Sequence, residues 1–345
     1  MAYSKNILVV RLSALGDILI SVPLIKAYAA ANPKVLFTLL FAPATEGFFK
    51  GIENVKFISD PLKKQKAGVT KVLKFARELS RNAKEQGTPV TMVADIHDVL
   101  RTKVLRTWFK LSGVKCASID KERSQCRALT REKNKVFAPI KSSMRKYEEV
   151  FVRLGLKDLN VSGNQVEVRH LSPSPYRKIG IAPFTAEKGK QWPLEYVEES
   201  IRILSADPNN RISLFGGGRS EVQFLSSLAD KYPNTVSEAG KHKLIEEAAI
   251  IAGLDVMVSM DSANMHLASV VGTAVISIWG ATHPYAGFYG YGQNPSWAMG
   301  LEMPCRPCSI YGNKPCTKGD YPCLRGIKPQ DLVDKIIKLT AGVNQ

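Results

Sequence analysis

A carboxylate that could act as a general base follows the first apolar segment of the chain. Arg11-Leu-Ser-Ala-Leu-Gly-Asp17 comes directly after the run Ile7-Leu-Val-Val10. Gly16 permits a tight turn, which would present Asp17 near the start of the next helix. A carboxylate there can take a proton from an attacking hydroxyl group, or it can cap the helix. The local residues leave both roles open.

A polar loop around Lys190 has groups that suit a phosphate. The apolar segment 179–182 leads into this loop, which also contains Thr185 and Lys188. A hydroxyl and two ammonium groups at the carboxyl end of a strand can bind phosphate oxygens, because the loops at that end line the binding crevice of an α/β sheet. Lysine-rich loops are also common as solvated surface, with Trp192 as a packing anchor.

A glycine-rich turn offers a second possible anion site. Phe215-Gly-Gly-Gly-Arg-Ser220 joins a predicted strand to a predicted helix. Gly216 and Gly217 would let the backbone approach a ligand, and the amide groups at a helix start attract anions. The turn matches neither G-x-G-x-x-G nor the Walker pattern, and a plain tight turn has the same composition.

A further loop follows a buried apolar strand in Val258-Ser-Met-Asp-Ser-Ala-Asn-Met-His-Leu-Ala268. Asp261 and Ser262 can cap the next helix, and its first amide groups then form an anion-binding end. His266 lies about one turn into that helix. A lone histidine on a helix is also frequent as a structural residue.

Four of the six cysteines lie close together near the C-terminus, with the spacing Cys305-x2-Cys308-x7-Cys316-x6-Cys323. Four thiols in nineteen residues could bind zinc, but the second pair lacks C-x-x-C spacing. Reduced packing thiols in a compact loop are the alternative. A structural disulfide is not expected in a cytoplasmic chain.

The elements that must position these residues alternate between strand and helix, which predicts two α/β domains with parallel sheets. Two prolines and two serines in His170-Leu-Ser-Pro-Ser-Pro-Tyr176 predict the linker between them. We expect an N-terminal domain over 1–172, a second over 177–325, and a C-terminal helix within 326–345. Strands are predicted at 6–10, 35–41, 90–95, 179–182, 211–215, 256–260 and 274–279. Helices are predicted at 18–31, 63–84, 193–206, 221–231, 243–253, 264–271 and 329–339.

Composition and charge narrow the possible functions. The 345 residues are 45% hydrophobic and 23% charged, as in folded globular proteins. No apolar run is long enough to span a membrane and no secretory signal is recognised, so we expect a soluble cytoplasmic protein. Residues 1–170 hold 31 Lys and Arg against 15 Asp and Glu, whereas residues 171–345 hold 17 against 16. Such a basic half attracts nucleic acid, anionic lipid or a phosphorylated substrate, or it serves only solubility.

Taken together, the segments resemble glycosyltransferase family 9, the ADP-heptose:lipopolysaccharide heptosyltransferases. The matching pieces occur in the order of the family and span nearly the whole chain. They are residues 7–18, the Ala182-Pro-Phe-Thr…Lys190-Gln-Trp-Pro193 loop, Asp261-Ser-Ala-Asn-Met-His-Leu-Ala268, Trp279-Gly-Ala-Thr282 and the terminal cysteine cluster.

The resemblance implies a GT-B fold, in which two Rossmann-like domains face each other across a cleft. The N-terminal domain would bind the acceptor and the C-terminal domain the nucleotide-sugar, and helix 329–339 would pack back on the N-terminal domain. The family needs no cofactor or metal ion. Its donor is ADP-heptose. Its acceptor is an anionic, lipid-linked inner-core oligosaccharide at the inner face of the cytoplasmic membrane, where the enzyme would be a transient peripheral protein.

The resemblance also assigns roles to residues of this chain. Asp17 corresponds to the catalytic base of an inverting transfer, with Ser13 and Gly16 on the acceptor side. The family usually has Asp-Thr-Gly where this chain has Asp261-Ser-Ala. Serine keeps the hydroxyl group, but alanine lacks the freedom of glycine at positive φ. The residues expected on the donor side are Thr185, Lys190, Gly216, Gly217, Asp261, Ser262, Ala263 and His266.

Two other functions compete with this interpretation. One is a GT-B transferase or epimerase that uses a different nucleotide-sugar. The other is a basic nucleic-acid-binding protein, although the chain has no helix-turn-helix, zinc-finger or RNP-type pattern. Because the basic half is the acceptor half in the family, the charge distribution favours the anionic acceptor, and no nucleic-acid partner is expected.

Overall fold

A computed structural model describes residues 3–59, 68–163 and 174–341, and it contains two parallel β-sheets flanked by helices. All strand pairs in the described residues are parallel. The predicted α/β class is therefore confirmed. The central strands are mostly apolar because helices cover both faces of such a sheet. All seven residues of the strand Val35–Phe41 are buried, and only Thr38 among them is polar.

The first sheet has five strands, and its strand order reverses beside the first strand. The order is β3-β2-β1-β4-β5. Its strands are β1 Lys5–Val10, β2 Val35–Phe41, β3 Val55–Ser59, β4 Met92–Asp95 and β5 Lys115–Ser118. Its helices are α1 Leu15–Ala31, α2 Val69–Glu85, α3 Leu100–Leu111 and, later in the chain, α5 Ser143–Leu154. The reversal between β1 and β4 is where open α/β sheets bind ligands, at the carboxyl ends of the strands.

The second sheet has six strands in the order β11-β10-β9-β6-β7-β8, with its reversal between β6 and β9. Counted from β6, this is the 3-2-1-4-5-6 order of a dinucleotide-binding sheet. Its strands are β6 Arg177–Ala182, β7 Asn210–Leu214, β8 Thr235–Ser237, β9 Val256–Met260, β10 Val275–Ile278 and β11 Ala298–Met299. The remaining helices are α4 Arg123–Thr130, α6 Leu194–Ser205, α7 Arg219–Lys231, α8 Leu244–Ala252, α9 Ala263–Val270, α10 Pro322–Arg325 and α11 Pro329–Thr340.

The chain divides into two compact units, and the second is discontinuous in sequence. The first is drawn from Met1–Lys121 and Ser143–Asn164, the second from Glu122–Ser142 and Gln165–Gln345. Residues 122–142 were expected in the N-terminal domain, but they pack within the second unit. The amide of Ile140 donates a hydrogen bond to the carbonyl of Tyr285 (3.0 Å), and the Phe137 ring lies 5.0 Å from the His283 ring between centroids. These contacts move a basic segment into the second unit.

The C-terminal helix α11 also packs within the second unit. Leu332, Val333 and Ile336 are buried in its hydrophobic core, where α11 contacts α6 and β9. The apolar face of this helix, which was expected to pack on the N-terminal domain, thus lies in the core of the second unit. The apolar residues of α11 therefore pack against α6 and β9 of the same unit.

Most predicted elements are present, with shifts of a few residues at their ends. Helix α1 begins at Leu15 rather than at Ile18, and Pro193 is the N-cap of α6 rather than its first helical residue. The start of the predicted helix over 63–84 and most of the predicted linker lie outside the described residues. In the part of the chain that the structure covers, no helix is both long enough and apolar enough to cross a membrane.

Candidate active site

In the first unit, Asp17 lies in the first turn of α1, directly after β1 at the reversal of strand order. Its side chain is 23% exposed and forms an ion pair with the Arg11 guanidinium through one carboxylate oxygen. The other oxygen accepts a hydrogen bond from the Tyr147 hydroxyl group (3.2 Å). The N-cap of α1 is Ala14, with no capping bond from a side chain, so Asp17 does not cap the helix.

Arg11 is buried and fixed by a second contact in addition to Asp17. Its Nη1 donates to the carbonyl of Ile96, just beyond the end of β4 (2.7 Å). Its guanidinium also lies 5.6 Å from the centre of the Tyr147 ring. Arg11 thus joins the ends of β1 and β4 and holds the Asp17 carboxylate at the place where they meet.

His97 is a buried neighbour of this pair. Its Nδ1 accepts a long hydrogen bond (3.4 Å) from the amide of Leu12. Burial, with smaller contributions from the Arg11 and Lys121 charges, lowers the pKa of His97 to about 3. The imidazole is therefore neutral at physiological pH.

The two other residues expected on the acceptor side lie close to Asp17 in the chain. Ser13 is exposed in the loop between β1 and α1, and Gly16 lies inside the first turn of α1. Gly16 takes a helical position rather than the expected tight turn. Ser13 is therefore accessible to solvent, four residues before Asp17 in the chain.

In the second unit, Lys190 and Asp261 meet at the reversal of strand order between β6 and β9. The Lys190 ammonium lies 2.9 Å from Oδ2 of Asp261, an ion pair without hydrogen-bond geometry. The Lys190 side chain is 15% exposed and that of Asp261 is 4% exposed. Two segments predicted separately from the sequence thus converge on one charged pair at the ligand-binding edge of the sheet.

Thr185 belongs to the same loop as Lys190, and Gln191 fixes the path of this loop. The Gln191 side chain accepts from the amide of Thr185 (3.1 Å) and donates to the carbonyl of Pro183 (2.8 Å). Thr185 is half-buried, whereas Lys188 is exposed. Of the two lysines in the loop, only Lys190 is directed at Asp261.

The start of α9 supplies the remaining residues of the predicted donor loop. Ser262 is the N-cap, and its Oγ lies 3.1 Å from that of Ser259. Ala263 is the first helical residue and does not have positive φ, so alanine fits the position without strain. His266 is buried within α9. The departure from Asp-Thr-Gly therefore leaves the helix start intact.

At the glycine-rich turn, a carboxylate of the chain occupies the predicted anion position. The amide of Gly217 donates to the Glu221 carboxylate (2.8 Å). A Cβ at Gly216 would lie 2.9 Å from Cδ1 of Leu225 and 3.1 Å from Oε2 of Glu221, so the ends of these two side chains would have to shift. This turn therefore presents the Glu221 carboxylate instead of free amide groups. Glu221 was missed by the sequence analysis, because nothing in the sequence shows that its side chain folds back on this turn.

The cysteine-rich segment contributes a backbone contact to Lys190. Gly312, at φ +78°, accepts a hydrogen bond from the amide of Gly189 (3.1 Å). A Cβ at Gly312 would lie 2.6 Å from Cγ of Lys190. The buried Ser309 fixes this turn by accepting from the amide of Gly312 (2.9 Å). The turn at residues 309–312 therefore packs directly against the stem of Lys190.

The four clustered cysteines are free thiols. Burial raises the pKa of Cys323 to about 11 and also raises that of Cys308. Across residues 3–59, 68–163 and 174–341, no group of three or more His, Cys, Asp or Glu is arranged to hold a metal ion.

The known proteins that this chain resembles are described as heptosyltransferases. The family model described as glycosyltransferase family 9 (heptosyltransferase) matches residues 118–315. Lipopolysaccharide heptosyltransferase 1 of Escherichia coli K12 is 26% identical over 314 residues, which cover 87% of this chain and 93% of that protein. Lipooligosaccharide heptosyltransferase 2 of Campylobacter jejuni strain 81116 is 25% identical over 164 residues, 44% of this chain, so the chain spans about half (47%) of that relative.

The fold is shared with solved enzymes. The structure titled Escherichia coli heptosyltransferase WaaC with ADP-2-deoxy-2-fluoro heptose matches with a TM-score of 0.64 at 18% identity, covering 97% of this chain and 99% of that one. This likeness confirms the GT-B fold that was expected from the sequence. In this chain each of the two sheets has one reversal of strand order, which is where open α/β sheets bind ligands.

Proposed function

The chain belongs to glycosyltransferase family 9 (heptosyltransferase), and from that premise we propose that it moves a heptose from ADP-heptose to a hydroxyl group of a lipopolysaccharide inner-core acceptor, with inversion. The enzyme is a glycosyltransferase. What we propose beyond this is the identity of the donor, the identity of the acceptor and the inversion at the transferred sugar. Its strongest support is the Lys190–Asp261 pair, because it places a cation at the strand reversal where a nucleotide would bind.

The second unit is proposed to hold the nucleotide-sugar. Lys190 would exchange part of its contact with Asp261 for a donor phosphate, and the start of α9 would add the positive end of the helix dipole. Thr185 and Ser262 offer hydroxyl groups beside it. The WaaC structure with an ADP-heptose analogue supports ADP-heptose as the donor.

The first unit is proposed to hold the acceptor and the base. The Asp17 carboxylate has more lone pairs than its contacts to Arg11 and Tyr147 use, so it can still accept a proton. Asp17 takes the proton of the acceptor hydroxyl, whose oxygen forms a bond to C1 of the heptose. The bond from C1 to the phosphate oxygen breaks, and ADP keeps the electron pair. Lys190 stabilises the charge that develops on the phosphate, so this step uses residues of the chain alone.

The net charge of the units supports an anionic acceptor. The first unit holds 24 Lys and Arg against 12 Asp and Glu, whereas the second holds 24 against 19. A phosphorylated, lipid-linked oligosaccharide would be attracted mainly to the first unit. We propose that the enzyme works at the inner face of the cytoplasmic membrane, as a peripheral protein.

The test is turnover with a panel of donors. ADP-heptose, ADP-glucose, UDP-sugars and GDP-sugars are each supplied with a deacylated inner-core oligosaccharide, and nucleotide release and product mass are measured. We expect transfer from ADP-heptose only, with the opposite anomeric configuration in the product. Turnover with another nucleotide-sugar would favour the other transferase or epimerase. Tight binding of RNA or DNA without any turnover would favour the nucleic-acid-binding alternative.

A further inference from the structure

Helix α3 of the first unit presents two highly exposed leucines on the same side. Leu100 is 73% exposed and Leu111 is 85% exposed. Eleven residues separate them, which is almost three whole helical turns, so the two side chains point in nearly the same direction about 16 Å apart. Single exposed apolar residues are common on protein surfaces, and the pair is of interest because both leucines project from one face of α3.

Basic residues surround this apolar line. Lys103 and Lys110 lie on one edge of the outer face of α3 and are exposed, and the Lys103 ammonium also lies 3.6 Å from the Asp98 carboxylate. Helix α2 packs beside α3 on the same side of the sheet, and both contribute to one core cluster. The outer face of α2 adds the positive charges of Lys74, Arg77 and Arg81. The acidic residues of that helix are Glu78 and Glu85.

At the other edge of α3, an aromatic side chain packs against the protein core. Val104 and Trp108 are half-buried and pack against the same core cluster, and the Trp108 ring contacts that of Phe109 at 4.9 Å. The face that α3 turns away from the core thus has leucines near its two ends and lysines at one edge, which are residue types that interfacial helices use against anionic lipid.

We infer that the outer face of α3, formed by Leu100, Lys103, Thr107, Lys110 and Leu111, is the surface with which the enzyme docks on an anionic lipid bilayer. The inference rests on the proposed function, since it gives the peripheral enzyme its contact surface. The cations of α2 and α3 complement anionic headgroups, and the leucines enter the interface. The N-terminal end of α3 follows the loop after β4, so docking brings lipid close to the edge of the sheet that carries Asp17.

The experiment compares the full-length enzyme with two double variants. Leu100→Ser with Leu111→Ser removes the exposed leucines, while Val236→Ser with Ile245→Ser removes two exposed apolar residues of the second unit as a matched control. Cosedimentation uses vesicles of phosphatidylcholine with and without phosphatidylglycerol, at low and high salt. We expect the α3 variant to lose roughly tenfold or more in binding to anionic vesicles and the control variant to bind like the wild type. Binding to neutral vesicles should be weak for all three.

The same proteins are then assayed for transfer to a water-soluble, deacylated acceptor. We expect the α3 variant to keep wild-type turnover on this acceptor and to lose turnover on the vesicle-embedded acceptor. Unchanged vesicle binding by the α3 variant would overturn the inference, as would a change from dimer to monomer in sedimentation, because the face would then join two copies of the chain. Failure of the proposed function is separate: the wild type would show no transfer to the soluble acceptor, while vesicle binding would still be measured.

Discussion

The two carboxylate oxygens of Asp17 have different partners, Arg11 on one and the Tyr147 hydroxyl group on the other. We expect Asp17→Asn to fold normally and to bind donor as the wild type does, but to turn over roughly 10²-fold more slowly or worse, because an amide cannot accept the proton. Initial rates and donor titration by calorimetry measure the two effects.

Tyr147→Phe is the matched control for this prediction. It removes the hydrogen bond from the Tyr147 hydroxyl group to Asp17 and leaves the base in place. Its loss of turnover should be much smaller than that of Asp17→Asn. Near-normal turnover of a folded Asp17→Asn variant would show that another group accepts the proton.

Lys190 can be tested against a lysine two positions away in the same turn. We expect Lys190→Ala to raise the donor KM and lower kcat, because the charge facing Asp261 and the donor phosphate is lost. Lys188→Ala removes an equal charge from an exposed position and should change neither constant by more than about twofold. Equal effects of the two variants would mean that only the general positive charge of the loop matters.

His97 should make the stability of the enzyme sensitive to acid. In the unfolded chain a histidine binds a proton below about pH 6.5, but in the folded enzyme His97 does so only near pH 3. Its contribution to stability is therefore complete above pH 6.5 and is lost as the pH falls toward 3.

Urea unfolding at pH 7.5 and pH 5.0 checks this contribution of His97. We expect the wild type to lose about 2 kcal/mol more than His97→Gln between these values. The pKa of His283 is lowered as well, to about 4, chiefly by burial, but this residue is present in both proteins and cancels in the comparison. A loss of the same size in both proteins would show that His97 does not cause it.

At the level of elements, the turn at Gly312 in the cysteine-rich segment packs against the stem of Lys190. We expect Gly312→Ala to raise the donor KM severalfold, since a Cβ would displace the Lys190 stem. Gly319→Ala is the control, because Gly319 also has positive φ but has nothing near the position of a Cβ. Both substitutions strain the backbone by roughly 1 kcal/mol, so a difference in donor KM reports the contact alone. Equal donor KM values would rule out a role of this turn in supporting Lys190.

Long, fully buried elements could be predicted from the sequence, whereas contacts between distant segments could not. Strands β2 and β9 were predicted with the bounds that the structure has, because all their residues are buried and all but Thr38 and Ser259 are apolar. The three-residue strand β8 is too short to leave a pattern. Asp17, Lys190 and Asp261 were found because each follows a predicted strand. Tyr147 and Gly312 were not, because each acts on a residue more than 100 positions away.

For the whole molecule, the units differ less in charge than the two halves of the sequence do. The contrast of +16 against +1 between the halves becomes +12 against +5 between the units, because residues 122–142 belong to the second unit. We still expect the KM for a phosphorylated acceptor to rise more steeply with salt than the donor KM, because screening weakens attraction over more than about 8–10 Å. Steady-state kinetics from 50 to 500 mM salt, roughly, test this. A steeper salt dependence of the donor KM would place the main anion attraction in the second unit.

The discontinuous second unit has a consequence for the order in which the protein is made. Phe137 leaves the ribosome long before His283, its ring partner in the finished fold, and the chain grows by about 5–20 residues per second. For several seconds the segment 122–142 therefore lacks its packing partners in the second unit. The residues on both sides of it belong to the first unit and can already fold together. No single proteolytic cut separates the units, and a C-terminal fragment that starts at residue 174 lacks this segment. Such a fragment should recover its packing when a synthetic peptide of residues 122–142 is added in trans.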